Sequence, residues 1–181
     1  MLEAIKDYKP ILDAFVAGRV AAARRQSQPF AVMTTSAYTD DFEPFEPAVK
    51  SIRQPFYLRK KYTGRENETK FIEYLEGNAD VKAWMKNADS GQEALSIRYR
   101  NESDGTFHLF NPDWLVIHAN GDIGIYDTKD GQTGMEKSQE TRWKCAALMA
   151  RVAWLNANSE RRYRGGIYEY EGGAWVLKTG I

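Results

Sequence analysis

The stretch Asn111–Gly131, NPDWLVIHANGDIGIYDTKDG, constrains the fold more than any other part of the chain. Two apolar runs flank Asn120-Gly121, a dipeptide suited to the left-handed backbone of a tight hairpin turn. Val116, Ile117, Ile123 and Ile125 are β-branched and favour the extended backbone. The stretch therefore predicts two antiparallel strands with an apolar face, which a second layer must cover.

The loop length decides which side chains meet. A two-residue turn pairs residues whose numbers add to 241 and sets Asp113 opposite Thr128. A three-residue loop, Ala119-Asn120-Gly121 with Gly121 left-handed in a bulge, pairs numbers that add to 240. Leu115 then faces Ile125, Ile117 faces Ile123, and Asp113 faces Asp127. Side chains alternate along a strand, so Lys129 shares the face of Asp127, and a one-residue slip would flip the set. The second register gathers the apolar residues and both acids on one side, and it is the one predicted.

Two carboxylates facing each other repel unless something neutralises them. A divalent cation does this. Mg²⁺ takes oxygen ligands, commonly one or two carboxylates with water, and the backbone carbonyl of Thr128 offers another oxygen. Lys129 beside such an ion could orient or deprotonate a water, or stabilise charge on a phosphate. Asp113, Asp127 and Lys129 thus read as a metal-dependent phosphodiester hydrolysis site. The plainer alternative is an unrelated α+β binding domain whose turn-end acids and lysine are scattered.

Upstream, ENETKFIEYLEG predicts a helix ended by Gly77. Glu68, Phe71, Ile72 and Leu75 fall on one face, so Glu68 is an acid in line with the buried stripe. A first-turn glutamate favouring the helix dipole has the same position. VKAWMKN is compatible with strand or helix. ALSIRYR alternates, with Arg98 and Arg100 on its wet face. FHLFNPDWLVIH reads as one strand leading into the hairpin. A long helix is expected from Glu136 to about Asn156, with Trp143, Ala146, Ala147, Ala150, Ala153 and Trp154 at helical spacing, and Trp143 as a core residue. The tail predicts a hairpin turning at Gly172-Gly173. This order gives an α/β (α+β) domain with a mixed central β-sheet flanked by helices.

The remaining N-terminal sequence carries less chemistry. Residues 1–62 predict a helical then irregular arm, with a basic end at Arg19, Arg24 and Arg25 and two prolines among acids in YTDDFEPFEPAV. Arg59, Lys60 and Lys61 form a basic cluster near its end.

Composition narrows the classes. Lys and Arg total 25, as do Asp and Glu, so bulk charge does not hold this chain to nucleic acid, and any such binding needs local patches. One cysteine, Cys145, and two histidines exclude an internal disulfide and a multi-histidine metal site. A reducing, cytoplasmic compartment fits. Met1-Leu2 opens into a charged stretch unlike a signal peptide, and no apolar run is long enough to span a membrane. GQTGMEKS lacks the Gly-Lys-Ser of a phosphate loop, so no nucleotide cofactor site is expected.

At NPDW and YDTKDG the chain resembles the PD-(D/E)xK, restriction-endonuclease-like superfamily. The wider run QPFYLRKKY, ENETKFIEYLE, VKAWMKN, SIRY, NPDWLV, YDTKDG is similar to the C-terminal nuclease domain of type III restriction enzyme Res subunits and related helicase-nucleases. Asp127 stands where glutamate is commoner, and Asp130 stands between the lysine and Gly131.

The resemblance implies a restriction-endonuclease-like core over residues 63–181, ending in the C-terminal β-hairpin. The arm would pack on a motor domain that this chain lacks. It implies that Glu68, Asp113, Asp127 and Lys129 are catalytic. Asp113, Asp127 and the Thr128 carbonyl would hold Mg²⁺, or Mn²⁺ in its place. The substrate would be DNA, contacted by Arg59, Lys60, Lys61, Arg98, Arg100 and Lys144, with the Arg161, Arg162, Arg164 cluster as a further candidate. Expected partners are a helicase or translocase domain, a modification subunit, and a second copy for double-strand cleavage. The alternative within the same fold is a weak or inactive module that binds DNA or docks a motor.

Overall fold

The structure is a computed structural model, described over residues 42–44, 48–52, 57–59, 65–87, 94–131 and 133–180. The expected arm at 1–41, its junction at 62/63 and the basic residues Lys60 and Lys61 lie outside the described residues. The chain divides into two compact units, Met1–Gly77 and Asn78–Ile181.

In the first unit, β1 (Phe42–Pro44) pairs antiparallel with β2 (Tyr57–Arg59). Helix α1 spans Arg65–Gly77. Glu66 and Glu68 fall in its first turn, where acids favour the helix dipole. Phe71, Ile72 and Leu75 are buried as the spacing predicts, and Glu73 is exposed. The Lys50 amide donates to Glu76 Oε1 at 2.8 Å.

The second unit is built on a five-stranded sheet in the order β3 (Val81–Lys86), β6 (Trp114–His118), β7 (Ile123–Lys129), β8 (Tyr163–Glu171), β9 (Ala174–Lys178). All neighbours run antiparallel except β7 and β8, which are parallel. A parallel pair needs a crossover, and α2 (Gln139–Asn158) supplies it. The chain is therefore a mixed α+β protein with a mixed central sheet. No described helix is long and apolar enough to cross a membrane.

Three sequence expectations change or sharpen. VKAWMKN is a strand, because it lies along β6 and buries Val81, Trp84 and Met85. FHLFNPDWLVIH is two strands: β5 (Phe107–Phe110) pairs with β4 (Ile97–Arg100) in a separate ribbon. Pro112, which has no amide hydrogen to give a ladder, lies in the break between them.

The long helix buries Thr141, Cys145, Leu148, Val152 and Leu155. The alanine and tryptophan stripe is not its core face: Ala146, Ala150, Ala153 and Trp154 are exposed, and Trp143 is half-buried. Bulkier side chains on the neighbouring face fill the space over the sheet. The C-terminal hairpin turns at Gly172-Gly173 as expected.

The core sits between α2 and one face of the sheet. Leu148, Ile125 and Ile167 are almost fully buried there. Gly165 on β8 lets the helix approach closely, since a Cβ built at this position would meet Val152 Cγ2 at 2.6 Å. The opposite face carries rings: Trp84 meets Trp114 edge-on at 5.6 Å, and Tyr126 meets Tyr168 at 5.0 Å.

Candidate active site

Local sequence sets the hairpin at the centre of the site. The β6–β7 ladder pairs Leu115 with Ile125 and Ile117 with Ile123, the three-residue-loop register. Gly121 takes φ +89°, and its amide donates to His118 O at 2.9 Å. This register brings the start of β6 and the end of β7 together, and with them Asp113, Asp127 and Lys129.

Asp113 lies one residue before β6, beyond the last ladder pair, Trp114 with Tyr126. Freed from the ladder, its carboxylate reaches along the strand end. Its Oδ2 accepts the Thr128 amide at 2.9 Å and the Thr128 hydroxyl at 2.7 Å. Lys86 Nζ stands 4.0 Å from Oδ1. Burial pushes this carboxyl up, but Lys86, Lys129 and the two Thr128 bonds outweigh it and hold Asp113 below the usual carboxylate range.

Asp127 has the opposite character. Only 3% of its side chain is open to solvent, against 28% for Asp113. Burial and then the negative charge of Asp113 outweigh the attraction of Lys129 and push Asp127 up to about 7. Lys129 Nζ is 2.6 Å from the buried Asp127 Oδ2, a charge-assisted contact. Lys129 loses some basicity to burial, but the two acids more than restore it and raise it above the usual lysine range.

The pair of acids fits a divalent cation. Two neighbouring carboxylates, one of them deeply buried, are a ligand set that Mg²⁺ uses while keeping water as its remaining ligands. Among the described residues, no group of three or more His, Cys, Asp or Glu is placed to hold a metal ion.

The other expected residues lie on other elements. Glu68 is half-buried in the first turn of α1, in the first unit. Arg59 ends β2, with its side chain outside the described residues. Arg98 and Arg100 are exposed on β4. Lys144 on α2 pairs with Glu140 at 2.7 Å. Arg164 is committed elsewhere: its Nε bonds Asp122 Oδ2 at 2.7 Å, beside the β6–β7 turn and at the far end of the hairpin from Asp127.

Two neighbours of the site are invisible in the sequence pattern. Lys86 reaches Asp113 only because β3 pairs with β6, setting Lys86 opposite Trp114. Glu169 is buried on β8 and lies level with Lys129 in the parallel ladder, where it accepts the Met135 amide. An isolated reading of VKAWMKN or YEYE gives no signal for either contact.

No family model, no curated protein and no solved structure matches this chain.

Proposed function

We propose that this chain is a Mg²⁺-dependent endodeoxyribonuclease with a restriction-endonuclease-like core, the nuclease part of a restriction-type helicase-nuclease. The observation that carries the proposal is the asymmetric acid pair. Asp127 is buried against the Lys129 ammonium, and the negative charge of Asp113 adds to burial in raising it to about 7. Burying a carboxylate in this way costs stability, so the arrangement is better suited to receiving a cation than to holding the fold together. The antiparallel run β3, β6, β7, followed by α2 and the parallel strand β8, supports the fold assignment.

Asp113, Asp127 and the Thr128 carbonyl would hold the ion. When bound, Mg²⁺ supplies charge neutralisation for the carboxylates and the phosphate. Thr128 fixes the Asp113 carboxylate by two hydrogen bonds, so one wall of the site is preorganised. Lys129 carries its proton at Nζ, which suits it to donate to a phosphate oxygen as charge develops there. Glu68 enters through the sequence pattern alone, and Glu68→Gln tests it separately.

A second reading, an inactive DNA-binding or motor-docking module, is favoured by two departures in the sequence: Asp127 where glutamate is commoner, and the extra acid Asp130 after the lysine. Plasmid cleavage separates the two readings. With Mg²⁺ or Mn²⁺ the wild type should nick DNA, while Asp127→Ala and an EDTA control should not. A wild type that cleaves neither supercoiled nor linear DNA under any of these conditions overturns the catalytic reading in favour of the inactive module.

A further inference from the structure

We propose that the outward face of the β4–β5 ribbon is a stacking platform for unpaired nucleotides of the substrate, so that the protein engages a single-stranded or frayed segment beside its acid pair. This inference rests on the nuclease reading above.

The ribbon has two unlike faces. Its pairing sets Ile97 opposite Phe110 and Tyr99 opposite His108 on one face, and Arg98 opposite Leu109 and Arg100 opposite Phe107 on the other. The first face is anchored: Tyr99 is buried and its hydroxyl donates to Glu140 Oε1 at 2.7 Å, at the start of α2. The second face is open, with Phe107 at 59% and Leu109 at 68% of full exposure.

Large apolar side chains on an exposed ribbon face favour a binding surface over a packing role. Here they alternate with cations. The Arg98 guanidinium lies over the Phe107 ring, 3.8 Å from its centroid, so a cation and an aromatic ring are held together on this face. Among the described residues Arg100 makes a loose surface contact, with Nε 3.9 Å from Glu102 Oε1. A base offers a π-face to stack on such a plane, and its phosphate offers the charge for Arg100. In a duplex those π-faces are covered by neighbouring bases, so the complementary ligand is an unpaired strand.

The platform is tied to the site. Buried Asn87 donates its amide hydrogens to Leu95 O at 2.8 Å and Pro112 O at 2.9 Å, and accepts the Leu95 amide at 2.8 Å. Its own backbone amide donates to Asp113 O at 2.7 Å. These bonds staple both feet of the ribbon to the backbone of Asp113. Phe107 is six residues before Asp113, a reach of at most about 20 Å along extended chain, or about six nucleotides of one strand.

The test is fluorescence anisotropy on the full chain in EDTA, with labelled oligothymidylate of about 12 nucleotides and a duplex of the same length. The wild type should prefer the single strand. Phe107→Ala should weaken that binding about tenfold with its salt dependence unchanged, and Phe107→Trp should retain it. Arg100→Ala should instead flatten the slope of log affinity against log salt by about 0.7. An unchanged thermal unfolding midpoint for Phe107→Ala guards against a folding defect.

Single-strand binding insensitive to Phe107→Ala, preference for the duplex, or no binding at all overturns the platform. Metal-dependent cleavage by the wild type together with Phe107-insensitive binding removes this inference alone. Phe107-dependent binding without any metal-dependent cleavage removes the hydrolase reading alone.

Discussion

The amide and the hydroxyl of Thr128 donate to the same oxygen of Asp113, at 2.9 and 2.7 Å. These two hydrogen bonds to one carboxylate oxygen join the start of β6 to the end of β7 and set how Asp113 faces its partner acid. Hydrogen bonds to a charged acceptor contribute more than neutral ones. Thr128→Val, which keeps the shape and the amide but removes the hydroxyl, should destabilise the fold by about 1.5–3 kcal/mol at pH 7. Thr128→Ser should recover most of that.

The Asp113 carboxyl is held below its ordinary range, so the stability it contributes is present above that range and lost as pH falls through the folded value. The Thr128→Val penalty should therefore shrink below about pH 4. Urea unfolding midpoints at pH 3 to 7 measure both effects.

Asp127 gives the opposite pH dependence. Its folded value, raised to about 7 by burial and by Asp113, lies above that of an unfolded aspartate. The metal-free protein should be most stable, as far as this group is concerned, at or below the unfolded value, and should lose stability as pH rises toward 7. The loss is at most on the order of 4 kcal/mol, and it should level off above that pH. Asp127→Asn should abolish this slope and be more stable than wild type at pH 8 without metal. Mn²⁺ should raise the wild-type unfolding temperature more at pH 8 than at pH 5, because a ligand must first lose its proton. Calorimetry at both pH values, with and without Mn²⁺, checks each statement.

Gly165 controls how closely α2 lies on the sheet beneath the acid pair. A Cβ there would meet Val152 Cγ2 at 2.6 Å and Ile125 O at 3.2 Å. Valine is stiff at χ1 and the carbonyl belongs to the ladder, so neither yields easily. Gly165→Ala should cost about 1–3 kcal/mol. In a Val152→Ala background the same change should cost less, because the nearest obstruction is gone. A double-mutant cycle on unfolding midpoints gives the coupling. Additive penalties would mean that the strain lies in the Ile125 carbonyl instead.

Much of the local structure was legible from the residues. Asn120-Gly121, with apolar runs on either side, determined the hairpin and its register, because a period-two pattern leaves only one pairing that puts Leu115, Ile117, Ile123 and Ile125 on a common face. Gly172-Gly173 marked the last turn for a similar local reason. Phe71, Ile72 and Leu75 marked the buried stripe of α1 through their helical spacing.

The buried face of α2 was not legible. Small alanines fit either an interior or a surface, so their spacing cannot say which side meets the sheet. Only packing over Gly165 selected Leu148 and Val152. The split between β5 and β6 also escaped notice, since an apolar run interrupted by Asn-Pro-Asp reads as one strand until β4 claims half of it.

By itself, then, the sequence determined that Asp113, Asp127 and Lys129 would gather at one end of a hairpin, because strand register is a local property of the turn and the pleat. Only the tertiary structure decided how unlike those acids are. Lys86 comes from a strand whose neighbour the sequence does not name, and the crossover brings Cys145 of α2 within electrostatic reach of Asp127. Charge and burial at a site are sums over neighbours distant in the chain. One aspartate is therefore held below its usual range and the other raised to about 7, although the two residues are chemically identical in the sequence.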